Sequence, residues 1–386
     1  MRVALPRADA ELNALLDALP EQAAVFLLEL GEGREPYLGR CANLRRRMQR
    51  VLRAAGDASR LLRLRGLAHG LAYWQTGSSL ESNLVLLEQA RTCFPGGYRR
   101  MLRLRLPWYI RLLTKNRFPR VTISSQPGDP SATFGPFLYR SQAESFANRA
   151  LDLFLLRRCE EELMPAPDHP GCIYGEMNMC LRPCQVAVSD ARYREEANAF
   201  LRFLASDGES LREELELQRM QASADLDFEQ AARAHKRLQK LNECRHGLGS
   251  LCTLLSQLDG VAVTPAPQEG EVRLWPLVSA RLRRAVTLPL DEIPGSAIAE
   301  CLAKDTEPPN PASEETMREA LAVLIKWSAS TWCDGEWVRV ENASKPPIRR
   351  IANAARRVHA RRWGSGVPSE GEGTADETKV LPLDDG

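Results

Sequence analysis

Four cysteines near the middle of the chain, Cys159, Cys172, Cys180 and Cys184, constrain its fold more than any other feature. The last three fall in GCIYGEMNMCLRPC as Cys-x7-Cys-x3-Cys, among Gly, Asn, Pro and Arg rather than aliphatic residues. In a chain with no secretory signal, such a thiol group is more often a metal or iron-sulfur site than a disulfide framework. Each cysteine taken singly also reads as a small buried hydrophobe. Spacing alone leaves both readings open, with Cys₄ suited to tetrahedral Zn²⁺ or to an iron-sulfur cluster.

A length of 386 residues implies two or three domains rather than one core. Net charge is only +2, so the total does not announce a nucleic-acid binder, but its distribution is uneven. Arginine is packed into 40–65 and 99–120, and acids gather in 208–229 and in the tail. The start, MRVALPRADAELNALLDALP, has no continuous apolar segment, and no run reaches the roughly 18 apolar residues of a membrane span. The expectation is a cytoplasmic protein with reduced thiols and no membrane partner.

In the first part of the chain, AAVFLLEL (23–30), the turn GEGREP and YLGR read as a hairpin of two buried strands. CANLRRRMQRVLRAA places Leu44, Met48, Val51 and Leu52 on one face of a helix with a basic outer face, and Asn43 suits its N-cap. GLAHGLAYWQTG reads as a third strand, and SSLESNLVLLEQARTCF as a second helix carrying Glu81 and Glu88.

This order of strand, turn, Tyr37-Leu38-Gly39, Asn43-Leu44-Arg45, strand and Glu-bearing helix resembles the GIY-YIG nuclease domain of the UvrC/Cho excision-repair family. The resemblance places the family's catalytic Arg on Arg47, its metal-binding Glu on Glu88, and its Tyr-Ile-Gly tyrosine on Tyr37, with Arg40 in place of the usual Lys. Phosphodiester hydrolysis needs an activated water, a divalent cation and a positive group near the scissile phosphate. The resemblance thus implies Glu88 as ligand of Mg²⁺ or Mn²⁺, Arg47 as phosphate clamp and Tyr37 as the group that orients or deprotonates water; one carboxylate with several waters is a normal Mg²⁺ site.

The chain also departs from the family pattern. Ala24-Val25-Phe26 replaces Gly-Ile-Tyr, so one tyrosine hydroxyl is lost, and phenylalanine neither hydrogen-bonds water nor carries a proton. Val51 stands where an aromatic or His is usual, and Arg99 where an Asn follows Tyr98.

The middle continues the resemblance through Tyr109-Ile110, Phe118-Pro119-Arg120, Phe134-Gly135-Pro136-Phe137 and Leu155-Leu156-Arg157 to Cys159, Cys172, Cys180 and Cys184. The family's four matching cysteines carry a 4Fe-4S cluster, which the resemblance implies here, with Zn²⁺ as the alternative. Two strands around a polar turn are expected in LPWYIRLLTKNRFPRVTISS, and a tight Gly-Pro turn leading into a long helix in TFGPFLYRSQAESFANRALDLFLLRRC. Apolar residues from Leu215 to Leu241 recur at helical spacing around the break ASADLDFE, giving an antiparallel helical hairpin. It resembles the UVR motif through which UvrC and UvrB associate: Phe228, Glu229, Ala231 and Ala232 match its core, while His235-Lys236 replace Arg-Asp.

Beyond 246, GVAVTPAP, EVRLWPLVSARLRRAVTLPL and GEWVRVENA suggest strands, and MREALAVLIKWSAS and IRRIANAARRVHARRW helices. The region loosely resembles the UvrC segment after the UVR motif, without a second carboxylate constellation or paired helix-hairpin-helix glycines. ARRVHARRW could contact phosphate backbone or be a solvated face. The expected architecture is α+β: a GIY-YIG-like domain (1–105), a cysteine-cluster domain (106–205), a UVR-like hairpin (206–245), a mixed region (246–363) and a disordered acidic tail (364–386). The resemblance implies a metal-dependent endonuclease that nicks damaged double-stranded DNA on the 3′ side and docks on UvrB, with UvrA upstream. The competing reading is a DNA-binding or adaptor protein with a decayed nuclease pocket.

Overall fold

The computed structural model describes residues 1–31, 33–53, 62–291, 293–303, 311–342 and 345–363, so the acidic tail lies outside the described residues. Among the described residues every strand pairing is antiparallel, and helices pack against the sheets without parallel crossover units, which makes the chain α+β.

The first sheet is built from β1 (Arg2–Ala4), β2 (Ala24–Leu30), β3 (Tyr37–Cys41) and β4 (Ala68–Gln75) in the order β1-β4-β2-β3. Strand alternation sends Ala24, Phe26, Leu28 and Tyr37 to one face, where α1 (Asp9–Ala18) and α2 (Leu44–Leu52) supply Leu12, Leu16, Leu44 and Met48. Val25 and Leu38 face the other way, onto α4 (Ser79–Cys93), which follows the short helix α3 (Leu62–Leu67) and strand β4. Asn43 caps α2 as its residue type suggests, its Oδ1 accepting from Arg46 N at 2.9 Å. A one-turn helix, α5 (Tyr98–Met101), ends this part of the chain.

The second sheet has the order β6-β5-β7-β8, from β5 (Trp108–Leu112), β6 (Val121–Ser124), β7 (Thr133–Phe137) and the distant β8 (Thr253–Leu254). Gly135-Pro136 lies inside β7 rather than in a tight turn, and α6 (Arg140–Leu151) stops well before Cys159. The physical reason is a register shift against β5 between Trp108 and Ile110, an interruption in the ladder where proline's missing N–H is tolerated. Phe134 and Phe146 stack at 5.1 Å, and Phe154 meets Phe200 edge-on at 5.3 Å, so the core beneath this sheet is largely aromatic. The one-turn α7 (Ile173–Glu176) lies in the cysteine segment, α8 (Asp190–Ala205) closes the core, and α9 (Glu209–Ala224) and α10 (Phe228–Arg245) form the hairpin. Its break is only Asp225–Asp227, capped by Asp227 Oδ1 accepting from Gln230 N.

The third sheet comprises β9 (Gly260–Pro265), β10 (Glu271–Val278), β11 (Arg281–Leu282) and β12 (Val286–Pro289), followed by α11 (Gly295–Leu302), α12 (Pro311–Ser328), β13 (Glu336–Arg339) and α13 (Ile348–Trp363). Its hydrophobic contacts are shared: Val25, Leu38, Leu87 and Tyr98 belong to one cluster with Ala262, Leu277, Leu321, Leu324 and Trp327. At Gly77, before α4, an added Cβ would lie 2.3 Å from the carbonyl carbon of Ala266, so only glycine allows this backbone approach. No helix among the described residues is long and apolar enough to cross a membrane.

Candidate functional site

Helical period explains why Arg47 points inward. It lies three residues after Leu44 and four before Val51, both buried, so α2 carries it toward the sheet despite the basic residues around it. There its Nη2 donates to the hydroxyl of Tyr37 at 3.1 Å, both side chains being almost wholly buried. Tyr37 rests on Phe26, ring centroids 5.8 Å apart, and Phe26 crosses Gly39 on the neighbouring strand. An alanine Cβ at Gly39 would come within 2.8 Å of the Phe26 ring, which accounts for glycine in Tyr-Leu-Gly.

Of the other sequence-predicted residues, Arg40 and Glu88 sit against or on α4. Arg40 reaches from β3 to α4, donating to Asn83 Oδ1 at 2.7 Å. Glu88 is exposed on α4, and its carboxylate makes no hydrogen bond or ion pair among the described residues; only its carbonyl accepts, from Thr92 Oγ1. Phe26 and Val51 are fully buried apolar core residues.

Arg99 has a different role from the pocket residue whose place it takes. Its Nε donates to Glu319 Oε1 at 2.6 Å, and its Nη2 pairs with Glu315, both on α12. Tyr98 donates its hydroxyl to the same Glu319 oxygen at 2.6 Å, and Arg91 pairs with the other. Burial pushes the Glu319 carboxyl upward, but donation by Tyr98, Arg99 and Arg91 outweighs it and holds the group below the usual carboxylate range. Buried Glu81 likewise pairs with Arg273 of β10, and Asp334 accepts from Ser79 N at 2.6 Å and from Trp327 Nε1 at 2.8 Å. No local sequence signal points to the contacts that α4 and α5 make with the third sheet, whose partners lie about two hundred residues apart or more.

The cysteine segment is gathered by buried polar anchors. Tyr193 donates to Pro119 O and accepts from Arg157 N, both at 2.9 Å, and Arg157 Nη2 bonds Cys159 O at 3.0 Å. Asn178, Arg182 and Val186 adopt left-handed backbone conformations, with φ of 55°, 54° and 55°. These turns fold the loop back so that Cys159, Cys172, Cys180 and Cys184 line one small cavity with Arg157, Arg158 and Arg182. All four cysteines are free thiols. Arg182 N donates to Cys180 Sγ at 3.4 Å, while Arg157 Nε and Arg158 Nε are buried without an acceptor. Burial pushes the Cys180 thiol up to about 11, with the other three cysteines adding to the rise. The sulfurs are not drawn into a tight ligand set: among the described residues, no group of three or more His, Cys, Asp or Glu side chains is preformed around an ion. Even so, four thiols lining one cavity, with an amide turned onto sulfur and orphaned guanidinium donors beside them, suit an anionic thiolate-bound centre.

The hairpin's base is in the aromatic core through Leu211, Leu215, Leu238 and Leu241, but its tip is not. Leu217, Met220, Leu226 and Phe228 are more than half exposed, Ala231 is half-buried, Ala232 is exposed, and Glu229 pairs with Arg233.

A Tyr–Arg pair on a small antiparallel sheet, a cysteine-lined loop and a helical hairpin with an exposed tip thus occur in one multi-part α+β chain. In comparison with known proteins, residues 108–203 match the family described as UvrC/Cho excinuclease, middle domain, and the chain is similar to UvrABC system protein C. It is 26% identical to UvrABC system protein C of Natronomonas pharaonis over 232 residues, 59% of this chain and 39% of the relative. To that of Haloarcula marismortui it is 26% identical over 277 residues (68% and 45%), and to that of Novosphingobium aromaticivorans 29% over 242 (60% and 36%). The chain spans about two-fifths of the length of these curated relatives. No solved structure matches it.

Proposed function

We propose that this chain is a DNA endonuclease of nucleotide excision repair, cutting a damaged strand on its 3′ side by metal-dependent phosphodiester hydrolysis. The observation that carries the reading is the buried Arg47–Tyr37 hydrogen bond at 3.1 Å, which joins two residues at family spacing in a UvrC-like chain. Arg47 holds the Tyr37 hydroxyl in place, so the phenol is oriented to position an attacking water, and the guanidinium supplies positive charge where a phosphate would bind. Glu88, exposed and without an ion pair, fits a hydrated divalent cation held by a single carboxylate. Mg²⁺ or Mn²⁺ there would supply charge neutralisation to a bound phosphate.

The exposed hairpin tip around Phe228 fits docking on UvrB, with UvrA acting before it, and the cysteine cavity fits a 4Fe-4S cluster, or Zn²⁺ instead. Protein purified without oxygen should be brown and contain iron; a colourless, zinc-loaded protein removes the cluster.

The test is incision of a lesion-bearing duplex with Mg²⁺ or Mn²⁺, with and without UvrA and UvrB. Metal-dependent nicking should disappear in Glu88→Ala and fall by about 10² to 10³ in Tyr37→Phe. Binding without any nick at high protein concentration overturns the reading. That outcome belongs to the second reading, a non-catalytic adaptor, which is favoured by the burial of Phe26 in the core where a water-facing tyrosine is usual.

A further inference from the structure

Helix α13 contains six arginines and no acidic residue. Ile351, Ala354, Ala355 and Val358 bury its inner face against the third sheet. All six arginines lie on the exposed side. Glu336 takes up only two of them, Arg357 and Arg361, at 2.6 and 2.5 Å. Arg349, Arg350, Arg356 and Arg362 have no carboxylate partner among the described residues.

Four arginines without a carboxylate partner on one exposed helix leave positive charge that an anionic partner would neutralise. From Arg349 to Arg362 the helix rises about 20 Å, the span of about six phosphates on one strand of B-form DNA. The loop just before Glu336 adds an aromatic group: Trp332 is 84% exposed, although its neighbour Asp334 is fixed by Ser79 and Trp327. A solvent-facing indole on an anchored loop beside a basic stripe is the arrangement on which unpaired bases stack. The face lacks the row of exposed apolar side chains that a membrane surface requires.

We infer that α13 and Trp332 form a DNA-contacting surface separate from the Tyr37–Arg47 site, with phosphates along the arginines and an unpaired base on the indole. The inference takes its partner, DNA, from the proposed function but does not depend on catalysis.

The test measures binding of the full chain to a fluorescent single-stranded 20-mer of thymidine and to a 20-base-pair duplex across a salt series. In the quadruple variant R349Q/R350Q/R356Q/R362Q, the slope of log K against log salt should shrink by about 0.7 for each single-strand phosphate no longer neutralised, and by about 0.9 for each duplex phosphate. Trp332→Ala should weaken single-strand binding about tenfold, leave the salt slope unchanged and affect the duplex less. These residues are exposed, so circular dichroism and melting should match the parent. An unchanged slope in a folded quadruple variant overturns the inference, as does an equal loss of binding to polyglutamate, which would mark a general polyanion or acidic-peptide site. Incision is read in a separate assay with metal, whereas these binding series need none, so failure of the nuclease reading is separately visible.

Discussion

Replacing Glu319 tests whether the first and third sheets are locked together by one buried carboxylate. Removing one member of a buried ion pair costs about 3–5 kcal/mol. Arg91 and Arg99 keep 34% and 39% of their side-chain surface in water and can re-solvate, so the cost for Glu319→Ala should fall to about 2–3 kcal/mol. Glu319→Gln keeps the volume and loses the charge, for about 1–2 kcal/mol. Trp327, on the same helix, makes urea unfolding visible by fluorescence, and a cycle with Tyr98→Phe should give a coupling of about 1 kcal/mol. Because the folded carboxyl titrates below its usual range, its stabilisation is complete above the unfolded value of about 4.3. It is lost as pH falls through the folded value, so wild type and Glu319→Gln should converge in acid. A cost below about 0.5 kcal/mol at pH 7, or a difference that persists undiminished in acid, refutes the lock.

Gly39→Ala should cost about 1–3 kcal/mol, because its Cβ would meet a Phe26 ring that is fully buried and cannot yield; an unchanged melting temperature counts against the packing described. Phe228→Ser should leave stability within about 0.5 kcal/mol, since the ring is 70% exposed, yet weaken UvrB capture at least about tenfold by surface plasmon resonance. Arg99→Asn restores the residue usual in the family and should lower stability by about 1 kcal/mol without raising the nicking rate; a marked gain in nicking would return position 99 to the catalytic pocket.

What was legible in the sequence was local. Alternation in AVFLLEL, the Asn43 cap and the spacing of Leu44, Met48 and Val51 specify strand, helix start and buried face within a few residues. The hairpin was legible for the same reason, and its exposed Phe228 agrees with an apolar residue left uncovered at a helix start. The grouping of the four cysteines was expected, but not the means: Tyr193 accepts from Arg157 N, and Arg157 in turn bonds Cys159 O, contacts that no spacing in the sequence announces. Gly135-Pro136 misled because the dipeptide signals a turn, whereas a ladder interruption against β5 accommodates it in a strand.

Position 99 shows what a departure from a family pattern can do elsewhere in the fold. From the sequence, Arg99 in place of Asn speaks for a decayed nuclease, together with Phe26 and Val51. In the fold it binds a carboxylate of α12, 220 positions along the chain. An asparagine could not reach both Glu315 and Glu319, and buried Glu319 would lose one of its three donors. The substitution thus has a structural role in attaching α12. Phe26 and Val51 remain, both buried beside the pair, and they change what surrounds Tyr37 and Arg47 without breaking the hydrogen bond between them. The Tyr37–Arg47 contact is therefore retained beside a position 26 that can offer no hydroxyl.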